Sequence, residues 1–260
     1  MAYEHIRIEN EGPVRIITVH RPHVMNAMNR ATVRELSAAF EEIDASHDVR
    51  AAILTGAGEK AFIAGADIGE FNALGPEDAR AYAEFGHRIL DRIAALRVPV
   101  IVAANGFTLG GGLEIALACD FIYASDNARL GLVELNLGVI PGFGGTARLC
   151  RRVGKAMAME LILSAAQVKA DEALRIGLVN KVFPQSELMA EAKKTAAAIA
   201  AKSPLTVAAI KRLLREGENT DLRVANSLEE HSFGLIFSSK DRIEGVNAFM
   251  EKRKATFEGK

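Results

Sequence analysis

Glu114 is the only charged side chain between Val98 and Cys119. A carboxylate in such apolar company is costly to ionise, and groups like it commonly carry a raised pKa or a proton-transfer role. It follows a triple glycine, Gly110–Gly112, and precedes the apolar run Ile115–Cys119. If a helix begins near Gly111, Glu114 lies in its first turn, beside N–H groups that have no partner within the helix. Such an end suits a phosphate or a developing oxyanion. The glycines would also serve close packing alone, and a glutamate favours any helix N-terminus. The apolar continuation decides for chemistry: a helix apolar all round is buried, and perturbed carboxylates cluster at functional sites.

Glu134 is the next plausible carboxylate, flanked by Leu132, Val133, Leu135 and Leu137. Alone it reads as an ordinary helix-start glutamate; together the two glutamates could divide acid and base roles. A second small-residue turn, Ala64-Gly65-Ala66-Asp67, could bring another backbone N–H to the same point. Two donors aimed at one oxygen form an oxyanion hole; a strand-to-loop turn capped by Asp67 is the alternative. The segment Gly142-x-Gly144-x-x-Ala147 matches a dinucleotide fingerprint loosely, but without a clear βαβ unit it reads as a turn. The six histidines form no ligand spacing, so no metal is expected. Lys252-Arg253-Lys254 reads as a solvated helix end, with an anion contact as the sharper alternative.

The elements that must position these residues alternate between strand and helix. Tyr3–Ile8 and Val14–His20 read as a hairpin. Asn29 is placed to cap a helix with Val33, Leu36, Phe40 and Ile43 on one face. Strands are expected at Ala51–Thr55, Ala61–Ile68, Val98–Ala104 and Phe121–Ala124, with a helix from Pro76 to Ala95. After about Thr146 strand signals nearly vanish. Helices are expected at Ala147–Arg152, Lys155–Ser164, Ala170–Ile176 and Glu187–Ala201. Three more follow: Ser203 to Gly217, Asp221–Phe237, and a last one capped from Ser238. No internal repeat is strong enough to use.

Composition excludes several classes. Apolar residues make up 49% and charged residues 25%, with a net charge of −1, so nothing points to nucleic acid or an anionic membrane. No apolar run approaches the roughly 18 residues needed to span a bilayer. The two cysteines, Cys119 and Cys150, read as reduced core residues. Met1–Asn10 has no signal-peptide pattern, and a cytoplasmic protein is the expectation.

Taken in order, Phe62–Ile68, Asn105-Gly106 with Leu109–Glu114, and Glu134 with Gly138–Gly145 resemble the crotonase (enoyl-CoA hydratase) superfamily. The likeness runs from Arg21-Pro22-x-x-x-Asn26-Ala27 to Phe249-x-Glu251-Lys252-Arg253-Lys254. His23 departs from a commoner lysine, and Leu132-Val133 from a commoner Gln-Pro. The resemblance implies an α/β fold, a spiral of repeated ββα units over residues 1–200. Residues 201–260 would form a helical region for assembly into a homotrimer or homohexamer. It implies an acyl-CoA thioester substrate, with coenzyme A as part of the substrate and no separate cofactor. The N–H groups of Ala66 and Gly111 would hold the thioester oxygen. Ala64, Ala66, Asp67, Ile68 and Gly69 would line the CoA site, and Lys252 would approach its 3′-phosphate.

Hydratases of that superfamily carry glutamates at both positions matching Glu114 and Glu134. The implied reaction is therefore syn hydration of a trans-2-enoyl-CoA, with Glu114 helping to activate water and Glu134 delivering a proton to C2. The rivals are Δ3,Δ2-enoyl-CoA isomerisation, thioester hydrolysis, and an RNA-binding homologue. The last needs a basic first helix, whereas Arg30–His47 has no lysine and carries Glu35, Glu41, Glu42 and Asp44. The acyl-pocket wall is expected near Phe71–Phe85 and around Phe233–Phe237.

Overall fold

β-Branched residues dominate the first two strands, β1 (Ile6–Glu11) and β2 (Val14–Val19), which pair antiparallel as the expected hairpin. The computed structural model describes residues 3–260. Next comes α1 (Arg30–Ala45), whose cap Asn29 accepts a hydrogen bond from the Thr32 N–H at 2.8 Å. Val33, Leu36, Phe40 and Ile43 are fully buried along one face.

Three units of identical layout follow. The first is β3 (Ala51–Gly56), β4 (Ala61–Ile63) and α2 (Pro76–Ala95). The second is β5 (Val100–Ala104), β6 (Phe107–Leu109) and α3 (Gly111–Ala118), and the third is β7 (Phe121–Ser125), β8 (Arg129–Gly131) and α4 (Gly145–Val153). Beyond them lie α5 (Lys155–Leu163), β9 (Val168–Lys169), α6 (Ala170–Arg175), β10 (Lys181–Phe183) and α7 (Gln185–Ala200). The first strand of each unit enters a six-stranded sheet of order β1-β2-β3-β5-β7-β10, and the second enters a four-stranded sheet of order β4-β6-β8-β9. A spiral of ββα units results. The chain ends in α8 (Pro204–Gly217), α9 (Leu222–Ile236) and α10 (Lys240–Met250).

The large sheet is buried on both faces, which is why β5 reads as the unbroken apolar run Val-Ile-Val-Ala-Ala. On one face Val14, Ile16, Ile53, Ile101 and Tyr123 pack against Leu188, Ala192, Ala196 and Ala200 of α7. The other face builds the main core with α1, α2 and α3. Two expectations are corrected here. Strands do continue after Thr146, as β9 and β10, each two or three residues long and paired to β8 and β7. The cap of α10 is Ser239, accepting from the Arg242 N–H at 3.1 Å, rather than Ser238. Among the described residues no helix is long and apolar enough to cross a membrane.

The packing of α3 onto β4 depends on Gly112. A Cβ there would fall 2.2 Å from the Ile63 carbonyl oxygen, a backbone atom that cannot swing aside. Gly112→Ala is expected to destabilise the fold by about 1–3 kcal/mol or more, the range for overpacking. A lowered urea midpoint would register it; an unchanged midpoint would show that α3 is free to shift.

Candidate active site

The N-terminus of α3 opens into a cavity of about 590 Å³. Ala64, Ala66, Ile68, Gly111, Glu114 and Glu134 all line it. Asp67, Gly69 and Lys252 do not lie on that lining. Lys252 sits just beyond α10, exposed, with a positive φ of 54°.

Ala66 is placed by the segment preceding α1. Met28 donates its N–H to Gly65 O at 2.9 Å, Asp67 donates to Met28 O at 2.8 Å, and Ala64 donates to Met25 O at 3.1 Å. That segment turns through Met25 and Asn26, at φ 52° and 58°. Buried Asn26 holds the turn. Its Oδ1 accepts from the Arg21 N–H at 3.0 Å, and its Nδ2 donates to Ala57 O and Ala61 O at 3.0 and 2.8 Å. Arg21 adds a bond to Ala27 O and an ion pair with Asp67 at 3.2 Å. Asp67 is thus an ion-pair partner, with no side-chain bond capping the turn that follows it. Among the described residues, the N–H groups of Ala66 and Gly111 have no acceptor in the protein. Both residues line the cavity.

Glu114 is only 2% exposed. Its Oε1 accepts two backbone N–H bonds, from Phe143 at 2.8 Å and Gly145 at 2.7 Å. Burial pushes its pKa from 4.5 up to about 7, Glu134 adds to the rise, and the two N–H donors with Arg148 oppose it. Glu134 lies on a short 3-10 helix, Glu134–Leu137, and burial raises its pKa as well. Its Oε2 is buried without a hydrogen-bond partner among the described residues. The two carboxylates flank the same glycines: Cβ atoms built at Gly110 and Gly111 would lie 3.1 Å from Glu134 Oε1 and 4.0 Å from Glu114 Oε2. Burial favours the protonated form of both carboxyl groups.

The raised pKa of Glu114 also bears on stability. A carboxyl whose folded value exceeds its unfolded one stabilises the fold fully below about pH 4.5, and that contribution is lost as pH rises through about 7. The rise corresponds to about 3 kcal/mol. Glu114→Gln, whose amide oxygen can still accept from Phe143 and Gly145, is expected to melt higher than wild type at pH 8 and to lose that advantage near pH 4.5. Equal melting temperatures at pH 8 would contradict the burial argument.

The apolar end of the cavity is walled by Phe71, Leu74, Tyr82 and Phe143. Tyr82 packs on both neighbouring rings, with centroids 6.1 Å from Phe71 and 5.1 Å from Phe143. The Phe71–Phe85 region is therefore a wall as expected, but Phe233 and Phe237 pair with each other on the exposed surface of α9, off the lining. Sequence reasoning singled out Arg21 and Asn26 only as part of a motif, without a role, and missed the N–H groups of Phe143 and Gly145. The last pair had a visible signal, since a glycine-rich turn opening α4 offers free N–H groups.

Comparison with known proteins agrees with this geometry. The enoyl-CoA hydratase/isomerase family model matches residues 9–260. The chain belongs to the enoyl-CoA hydratase/isomerase family. Similar relatives of this family include the short-chain-enoyl-CoA hydratase of Clostridium acetobutylicum, 46% identical over 98% of this chain and 97% of that protein. The crotonyl-CoA hydratase of Syntrophomonas wolfei is 46% identical over 99% of each chain. The crystal structure of an enoyl-CoA hydratase from Bacillus anthracis superimposes with a TM-score of 0.96 at 37% identity, covering 99% of this chain and 100% of that one. The family's crotonase fold accounts for both sheets and the spiral.

Proposed function

We propose that the protein hydrates trans-2-enoyl-CoA thioesters of short acyl chain to 3-hydroxyacyl-CoA. The observation that carries this reading is the pair of raised-pKa carboxylates, Glu114 and Glu134, set about the same glycines as two free N–H donors. The thioester oxygen accepts from Ala66 and Gly111, so that charge moving onto it during addition is met by donors already in place. Glu114, ionised, takes a proton from water as its oxygen bonds to C3. Glu134, protonated, gives a proton to C2, and the enolate collapses to the thioester. Addition from one side of the substrate gives syn stereochemistry.

The short-chain assignment rests on the aromatic wall of Phe71, Tyr82 and Phe143 and on the names of the two relatives at 46% identity. Ala64, Asp67, Ile68 and Gly69 are assigned to the CoA side of the cleft, and Lys252 to the CoA phosphate. Residues 1–200 are assigned as the catalytic core and 201–260 as the assembly region of a homotrimer or homohexamer. Exposed Leu214, Leu222, Phe233, Leu235, Phe249 and Met250 on α8–α10 support an interface there. Cytoplasmic residence fits the two free cysteines.

The test is loss of the conjugated enoyl-thioester absorbance with crotonyl-CoA, followed by a rate profile over C4 to C16 enoyl-CoAs. Turnover greatest at C4 is expected. No turnover at any length would reject hydration, and a maximum at long chains would reject the aromatic wall as a limit.

A further inference from the structure

Glu114 owes its two hydrogen bonds to a glycine-rich turn that runs into the first residue of α4. Phe143 and Gly145 donate from the segment Gly142–Gly145, and Gly144 between them sits at φ 93°, a conformation that only glycine adopts readily. The turn is held from behind by α4. Arg148 Nη1 donates to Phe143 O at 2.7 Å, while its Nη2 donates to Asp91 Oδ1 of α2, also at 2.7 Å. The guanidinium fills the space next to Gly144, where a Cβ would fall 2.2 Å from Nη1. Arg148 is mostly buried, its side chain 18% exposed, whereas Asp91 is 72% exposed. The arginine therefore braces the turn, and Asp91 orients the arginine.

We propose that Arg148 is a positioning residue for Glu114, holding the Phe143 peptide so that both N–H groups of the turn meet Oε1. This rests on the reading of Glu114 as an acid–base group. With the brace removed, the Phe143 carbonyl loses its partner, the turn relaxes, and the carboxylate loses both its fixed direction and the donors that favour its ionised form. The guanidinium charge favours that form too. The other titratable groups around the site are Glu134 on the 3-10 helix, Tyr82 on α2, and His87 on α2 beside Gly144. None of these bonds to Phe143 O.

The test compares Arg148→Met, Arg148→Lys, Glu114→Gln and the double variant Glu114→Gln/Arg148→Met, with crotonyl-CoA as probe. Arg148→Met is expected to lower kcat about tenfold or more with little change in KM, as for a reacting group moved by a fraction of an ångström. The acidic limb of its kcat/KM profile is expected to move to higher pH. Arg148→Lys, which keeps the charge and one donor, should return that limb towards wild type. In the Glu114→Gln background the methionine substitution should cost little more, because its target is gone. An unchanged limb in Arg148→Met, or a loss that adds in full to that of Glu114→Gln, would overturn the proposal. If Arg148→Met does not fold, Arg148→Gln, which also removes the charge, takes its place: its limb is expected to move to higher pH, and an unmoved limb would overturn the proposal. A fully active Glu114→Gln would instead reject the role of Glu114 itself.

Discussion

Gly111→Pro is expected to lower kcat by about 10²-fold or more while leaving the fold intact. Gly111 is the first residue of α3, the helical position where proline is best tolerated because its N–H has no partner inside the helix. The substitution therefore removes the donor without removing a structural hydrogen bond. Loss of a single oxyanion donor typically costs 10²–10³ in kcat. Because the bond strengthens as charge develops on the thioester oxygen, kcat should fall much more than KM changes. Gly111→Ala is the control. It keeps the N–H, and its Cβ would lie 3.1 Å from Cε at the end of the Met28 side chain and 4.0 Å from Glu114 Oε2, an ordinary contact distance. A proline variant with near-normal kcat and native circular dichroism would remove Gly111 from the chemistry.

Glu114→Gln and Glu134→Gln are each expected to reduce kcat by at least about 10²-fold, the lower range for general acid–base groups. The double variant should lose much less than the product of the two, since groups serving one proton-transfer sequence are non-additive. Wild-type kcat/KM should fall on the acid side below about pH 7, where burial has placed the pKa of Glu114. That limb should disappear from the residual activity of Glu114→Gln. If it persists unaltered, another group takes the proton from water.

Local signals in the sequence were sufficient wherever an element was long or carried a cap. Asn29 marks the start of α1, Pro76 that of α2, and the triple glycine that of α3, each by chemistry confined to a few residues. The strands that escaped, β6, β8, β9 and β10, are two or three residues long, too short for any alternation to register. Their pairing comes from partners twenty to sixty residues away. The missed β6 and β8 are also the second strands of their units, which is why no repeat was legible. At the site, Glu114 betrayed itself by its surroundings. Its hydrogen-bond donors could not, because Phe143 and Gly145 meet it only after the chain has passed through β7 and β8.

The two carboxylates differ in what they are built into. Glu114 and Gly111 belong to α3, wedged against Ile63 through Gly112, so altering that helix disturbs the core. Glu134 rides on a four-residue turn with Asn136 and Leu137 open to solvent. Under the proposed assignment the thioester anchor is thus heritable with the fold, while the proton donor is carried on a replaceable attachment. Exchange of the residue at position 134 is therefore expected to cost less folding stability than a change within α3.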